Sequence, residues 1–197
     1  MRASRRDEYT EATRRALLDS AAAAFTDKGY AATSLEDIAR ATRLTKGAVY
    51  HHFSSKQDLF RAVYDEVWTE FATSLRRAAE DAADPWQRLL AGIRVSLDAC
   101  LTPRFRRIVL DEAPAALGWQ TWRDIESQRA QLLNQPLADL ERAGIINPQP
   151  LDLMARVVLA MTGEAARAIA DAPDPTTARR DAEALLTSLL AGLRTKP

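Results

Sequence analysis

Thr33-Ser34-Leu35-Glu36-Asp37-Ile38-Ala39-Arg40, followed after a short interval by Leu44-Thr45-Lys46-Gly47-Ala48-Val49-Tyr50-His51-His52-Phe53, decides the fold of this 197-residue chain. Both stretches read as short helices. Thr33 can cap the first, with Glu36 at the third helical position reaching back as a capping box, and Leu35, Ile38 and Ala39 form its buried side. Thr45 is placed to cap the second. Leu44, Ala48, Val49 and Phe53 then turn inward, while Lys46, Tyr50 and His51 share the outer face. Two helices of about seven to nine residues joined by a tight turn form a helix-turn-helix, whose second helix is the one expected in a DNA major groove.

Outward from this motif the chain reads as helix after helix. One runs from about Thr10 to Lys28, with Leu17, Ala21, Ala24 and Phe25 at i, i+4, i+7 and i+8, and Gly29 stops it. Tyr30 is expected to pack back against it. Ser54 or Ser55 caps a long helix with Gln57 and Asp58 as box partners, its apolar side continuing through Leu59, Phe60, Val63, Val67, Phe71 and Leu75. Asp84-Pro85 and Thr102-Pro103 each put a capping side chain before a first-turn proline, and the helix opened by the second ends near Pro114. Residues 118–143 form a longer helix with a kink expected at Pro136, closed by Gly144. Two more span 151–171 and 177–194. With 37 Ala against 7 Gly and few β-branched runs, the fold class is all-α, about nine helices, without repeats.

Charge and composition exclude other classes. The chain carries 27 Lys+Arg and 27 Asp+Glu. Residues 1–56 hold ten basic and seven acidic side chains, a net of +3, which leaves −3 for the rest. A basic head on an acidic body suits an anionic partner for one part of the chain, although a solvated face would show the same excess. The single cysteine, Cys100, rules out a disulfide framework and a Cys-based zinc site, and it points to a reducing cytoplasm. No apolar run reaches the roughly 18–20 residues that span a bilayer, and no apolar segment follows the basic N-terminus to make a signal peptide. His51 and His52 diverge by about 100° on a helix and cannot chelate one metal together. No nucleophile with its base, metal cluster or phosphate loop is present, so neither an enzyme nor a cofactor is expected.

The second short helix carries the chemistry of an interface. Thr45, Lys46 and Gly47 sit at its N-terminus, where free N–H groups and the positive dipole end favour phosphate oxygens. Gly47 costs about 1 kcal/mol there relative to Ala, which suggests that another surface comes close. Lys56 opposes the dipole of the next helix, a placement that suits a phosphate better than local stability.

Residues 29–40 and 44–59, from Gly29-Tyr30-Ala31-Ala32-Thr33 to Ser55-Lys56-Gln57-Asp58-Leu59, resemble the DNA-binding domain of the tetracycline-repressor (TetR) family of bacterial transcription regulators, over roughly residues 10–62. The resemblance implies Thr33, Tyr50 and Lys56 on phosphates, Lys46 and Gly47 near base edges, and His51 on the backbone, with His52 as a second candidate. Arg43, preceded by Thr42, stands where the family has a small residue. Residues 1–56 are then the arm (Arg2, Arg5, Arg6) and DNA-binding domain, and 57–197 a regulatory domain that binds a small ligand and dimerises through its last two helices. Small residues among Met154, Val158, Met161 and Ala165, and a leucine face of Leu186, Leu189, Leu190 and Leu193, fit a homodimer interface. Trp68, Phe71, Trp86, Phe105, Trp119 and Trp122 lie on helices that the family places around its cavity. The expected function is that of a cytoplasmic, homodimeric repressor of a palindromic DNA operator, released by a small apolar or aromatic effector. The alternative is an architectural or partner-binding DNA-binding protein of the same fold without an inducer.

Overall fold

The computed structural model describes the backbone of residues 5–195 and the side chains of residues 7–195. The expected arm lies outside these: Arg2 is beyond the described residues, and the side chains of Arg5 and Arg6 are not among those described. The helices are α1 (Arg5–Lys28), α2 (Leu35–Thr42), α3 (Lys46–His52), α4 (Lys56–Glu80), α5 (Pro85–Ala99), α6 (Pro103–Phe105), a π-helical stretch (Arg106–Glu112), α7 (Ala113–Leu117), α8 (Trp119–Arg142), α9 (Leu151–Asp171) and α10 (Pro175–Ala191). With α6, the π-helical stretch and α7 counted as one interrupted segment, the described residues form nine helices and no strand; Ile146 and Arg194 share one isolated bridge. None of these helices is long and apolar enough to cross a membrane.

Two compact units divide the chain. The first runs to Thr69 and takes in Arg107–Trp119; the second is Glu70–Arg106 with Gln120 onward. The sequence division after residue 56 cut at a motif boundary, whereas packing keeps the start of α4 with the first unit. Leu59, Phe60, Val63, Tyr64 and Val67 of α4 are buried there, and Phe60 meets Phe25 of α1 edge-on at 5.2 Å. In the first unit α1 packs on α2 and α2 on α3. In the second, α5, α9 and α10 pack on one another around Trp86, Leu89, Ile93, Leu97, Met154, Val158, Ile169, Leu186 and Leu190.

Several boundaries depart from the sequence reading, beginning with α1, which starts at Arg5 rather than about Thr10. The segment opened by Thr102-Pro103 does not end near Pro114: it widens to a π-helix and resumes as α7, with Pro114 in the first turn, where its missing N–H costs little. The last helix begins at Pro175, where Asp174 accepts from the N–H groups of Thr176 and Thr177. It stops at Ala191 rather than near Arg194, because Thr195 N–H donates to Ile145 O and draws the tail onto the α8–α9 loop.

Among the described residues Arg43 is the single non-glycine with positive φ (57°), and Gly29 takes φ 82° in the turn after α1. A Cβ on Gly29 would stand 2.5 Å from Arg107 Nη2 and closer still to Glu112 Oε1. Left-handed backbone costs an L-residue about 1–2 kcal/mol, and glycine gives back about 0.4–1 kcal/mol by loosening the unfolded chain. Urea unfolding is therefore expected to show Gly29→Ala less stable by about 1–2 kcal/mol and Arg43→Gly more stable by about 0.5–1 kcal/mol.

Candidate nucleic-acid interface

The start of α2 is built one residue later than the sequence suggested. Ser34, not Thr33, is the N-cap: its Oγ accepts from Asp37 N–H at 3.1 Å, while Asp37 Oδ2 accepts from Ser34 N–H at 3.3 Å and from Ser34 Oγ at 2.6 Å. Those hydrogen bonds hold the Asp37 carboxyl below its ordinary range. Thr33 is unavailable for capping because it is 2 % exposed and its hydroxyl donates to Gly29 O at 2.8 Å. The phosphate role that the family resemblance implied for Thr33 meets the same obstacle, since the side chain faces the protein.

Glu36, released from the expected capping box, crosses to α3 and pairs with Lys46 Nζ. Each partner reports the contact: hydrogen bonding to Lys46 lowers the Glu36 pKa, and hydrogen bonding to Glu36 raises that of Lys46. Helix α3 is capped as expected, Thr45 Oγ1 accepting from Ala48 N–H at 3.2 Å, and Val49 is fully buried. Thr45, Lys46, Gly47, Tyr50 and His51 are exposed. Lys46 Nζ lies 5.7 Å from the Tyr50 ring centre, and a Cβ on Gly47 would have nothing nearer than Thr45 Oγ1 at 3.9 Å. The space over Gly47 is open.

His52 is half-buried, its ring edge-on to His51 at 5.3 Å. Partial burial, then the charges of His51 and Arg14, push its pKa below the ordinary value. Lys56 departs from expectation. Its Nζ donates to Tyr30 O at 2.8 Å and sits 4.2 Å from the centre of the Tyr30 ring, so its site in the first turn of α4 has a structural reason. Ser55 caps that helix, accepting from Asp58 N–H at 3.0 Å. Ser34, Glu36, Tyr50, Ser54, Ser55 and Lys56 line one open cleft of about 410 Å³. Ser34 was not singled out in the sequence, and Glu36 was read only as a capping partner; the spacing S-x-x-D at 34–37 carried the signal for the cap.

The remaining candidates are scattered. Trp68 is half-buried in the first unit, and Trp119 is 70 % exposed. In the second, Phe71 and Phe105 meet at 4.9 Å, Trp86 is buried in the core under Arg194, and Trp122 stands under the Arg129 guanidinium at 5.0 Å. Met154, Val158, Leu186 and Leu190, expected at a dimer face, are covered inside the protomer's own core; Met161, Ala165 and Leu193 pack against it, and Leu189 alone of the eight is exposed. The large apolar side chains bared on these helices are Leu153 and Val157 of α9 and Leu185 and Leu189 of α10. No three His, Cys, Asp or Glu cluster as metal ligands among the described residues, and burial pushes the Cys100 thiol up to about 12.

A capped short helix α3 packed on α2, which in turn packs on α1, defines a helix-turn-helix protein. Residues 17–63 match the model for bacterial regulatory proteins of the tetR family, and residues 86–193 match that for the tetracyclin repressor-like C-terminal domain. The chain belongs to this family. It is 32 % identical to a TetR-family transcriptional regulator from Pectobacterium atrosepticum, covering 99 % of this chain and 100 % of that one at a TM-score of 0.83. The HTH-type transcriptional regulator TtgR of Pseudomonas putida is 37 % identical over 109 residues, 53 % of this chain and 50 % of TtgR. AibR, solved with isovaleryl coenzyme A and operator DNA, shares the fold at 23 % identity and a TM-score of 0.66, over 89 % and 98 % of the two chains. The chain spans about half the length of the curated relatives it matches.

These placements separate two kinds of residue. Thr33→Val is expected to cost about 1–2 kcal/mol in thermal unfolding, since it leaves a buried carbonyl short of its donor. Tyr50→Ala, exposed and held only by Lys46, is expected to unfold like the wild type.

Proposed function

We propose that this chain is a ligand-responsive DNA-binding transcriptional regulator, a repressor that holds a palindromic operator as a homodimer and is released by a small apolar or aromatic molecule. The carrying observation is α3: Val49 and Phe53 anchor it, while Thr45, Lys46, Gly47, Tyr50 and His51 stand exposed at its tip and along one side. The open space over Gly47 suits a base edge or sugar that approaches the backbone directly. Phosphates fit the cleft beside Tyr50, Ser54 and Ser55, where Lys56 keeps two ammonium protons beyond the one given to Tyr30 O. Such a protein works in the cytoplasm and on the nucleoid, and no catalytic step is assigned to it.

The second copy has a surface to cover. Leu153, Val157, Leu185 and Leu189 lie on the paired helices α9 and α10, in a stripe beside the residues those helices give to the core. A homodimer of such regulators is expected to read two half-sites near one turn of DNA apart, roughly 34–36 Å. An effector is supported by the aromatics of the second unit and by structures of the same fold solved with triclosan or isovaleryl coenzyme A. It can shift the protein only by its differential affinity for the bound and released states.

Selection from random duplexes is expected to yield a palindrome, and a band-shift titration with it to weaken steeply with salt; a flat salt titration would overturn the phosphate contacts. Leu185→Asp with Leu189→Asp is expected to sediment as a folded monomer, whereas Leu186→Asp, a charge placed in the core, is expected to unfold. A phosphate facing His52 favours its charged form, so its pKa on DNA lies above that of the free protein. Affinity at fixed ionic strength is then expected to rise as pH falls from about 7.5 to 5.5 and to fade in the other direction, with a shallower slope for His52→Asn.

A further inference from the structure

Each basic side chain of α2 and the first turn of α3 has a carboxylate from α2 beside it. Arg40 Nη1 meets Asp37 Oδ1 at 3.3 Å, and Lys46 Nζ meets Glu36 Oε1. The two pairs differ in consequence. Arg40 and Asp37 lie three apart on one helix, and Asp37 is held by its cap. Glu36 and Lys46 join different helices, the carboxylate on the first turn of α2 and the ammonium at the tip of the recognition helix, and both are exposed. Glu36 makes no cap, and its side chain also lines the cleft beside Tyr50 and Lys56. A carboxylate is thus placed where the proposed DNA ligand would bring its own negative charge.

We infer that Glu36 is a specificity-setting residue, a built-in stand-in for the DNA anion that occupies Lys46 in the free protein. The inference rests on the DNA-binding reading above. A phosphate offers Lys46 only the exchange of one anion for another, with the Glu36 carboxylate left nearby in repulsion. A guanine edge offers acceptors O6 and N7 without a full charge, and the carboxylate can stay, or accept from the amino group of a neighbouring cytosine. The device therefore penalises contacts to backbone alone, which any sequence provides, more than contacts to the right base. Removing an exposed ion pair of this kind changes an equilibrium about twofold to fivefold.

The test uses the full-length chain as wild type, Glu36→Gln, Lys46→Met and the double variant, with thermal unfolding to verify that each is folded. Each is titrated with the selected operator and with a scrambled duplex of equal length over a range of salt. Glu36→Gln is expected to bind the scrambled duplex about twofold to fivefold more tightly per protomer, with a salt slope steeper by about one ion per protomer and a smaller operator-to-scrambled ratio. The gain is expected to vanish on the Lys46→Met background. Equal affinity and slope for wild type and Glu36→Gln, or weaker binding by Glu36→Gln, would overturn the inference alone. So would a gain that persists without Lys46, which would make Glu36 a general repeller of phosphate. Failure of the wild type to bind any duplex at low salt would instead overturn the DNA-binding reading beneath it.

Discussion

The first unit depends on the turn from Gly29 to Thr33. Gly29 reverses the chain at a φ of 82°, its N–H still donating to Phe25 O, and Thr33 closes the turn by donating its hydroxyl to Gly29 O and its N–H to Tyr30 O. The Tyr30 ring sits between Phe25 at 5.9 Å and Phe60 at 5.1 Å, and its carbonyl takes the Lys56 ammonium. Three helices are thereby tied at one point, α1 by Phe25, α4 by Phe60 and Lys56, and α2 by the residue before its cap. Without that tie α2 and α3, of eight and seven residues, are too short to hold their shape alone.

This explains why two residues read as DNA contacts have acceptors within the chain, Thr33 buried and Lys56 still lining the open cleft. Thr33 and Lys56 are a hydroxyl and an ammonium close to a basic helix, and polar residue type alone does not say whether the acceptor is a phosphate or a carbonyl of the same chain. The acceptors are Gly29 O and Tyr30 O, backbone atoms freed by the end of α1, and a carbonyl left unpaired near a core costs as much as a lost contact. The elements themselves were legible: period, caps and prolines placed α2, α3, α4 and α5 within a residue or two. The π-helical stretch at 106–112 was not, because a wide turn leaves no mark in apolar spacing. Nor was the inward half of the α9 and α10 faces. A helix rich in Ala and Leu all round does not show which stripe meets its own core and which is left bare: Leu186 is 3 % exposed and Leu189, three residues on, 52 %.

The zero net charge takes on a local form at the motif. Lys46, Arg40 and Lys56 are each met by an acceptor of the same unit, so the recognition surface offers shape and exposed N–H and O–H groups more than bare charge. A surface of this kind gains little from backbone phosphates at arbitrary sequence, where binding is almost wholly electrostatic. On the proposed reading it would recover affinity from base edges and from two half-sites held at once, with the bare leucine face of α9 and α10 as the proposed assembly surface.

The backbone crosses from one unit to the other more than once. It passes between the units at residues 69/70, 106/107 and 119/120, so residues 107–119 belong in sequence to the C-terminal domain and in packing to the DNA-binding unit. There, Arg107 and Glu112 pair directly over Gly29, where a Cβ would collide with them, and Gln57 of α4 donates to Ala116 O at 2.8 Å. The segment therefore rests on the two places that fix α2 and α3, the reversal after α1 and the start of α4. The π-helical stretch Arg106–Glu112 begins at one of these crossings, and π-helical turns are frequent at functional sites. The reversal at Gly29 is thus fixed from both sides, by the Thr33 hydroxyl from within the motif and by the Arg107–Glu112 pair from a segment far along the chain.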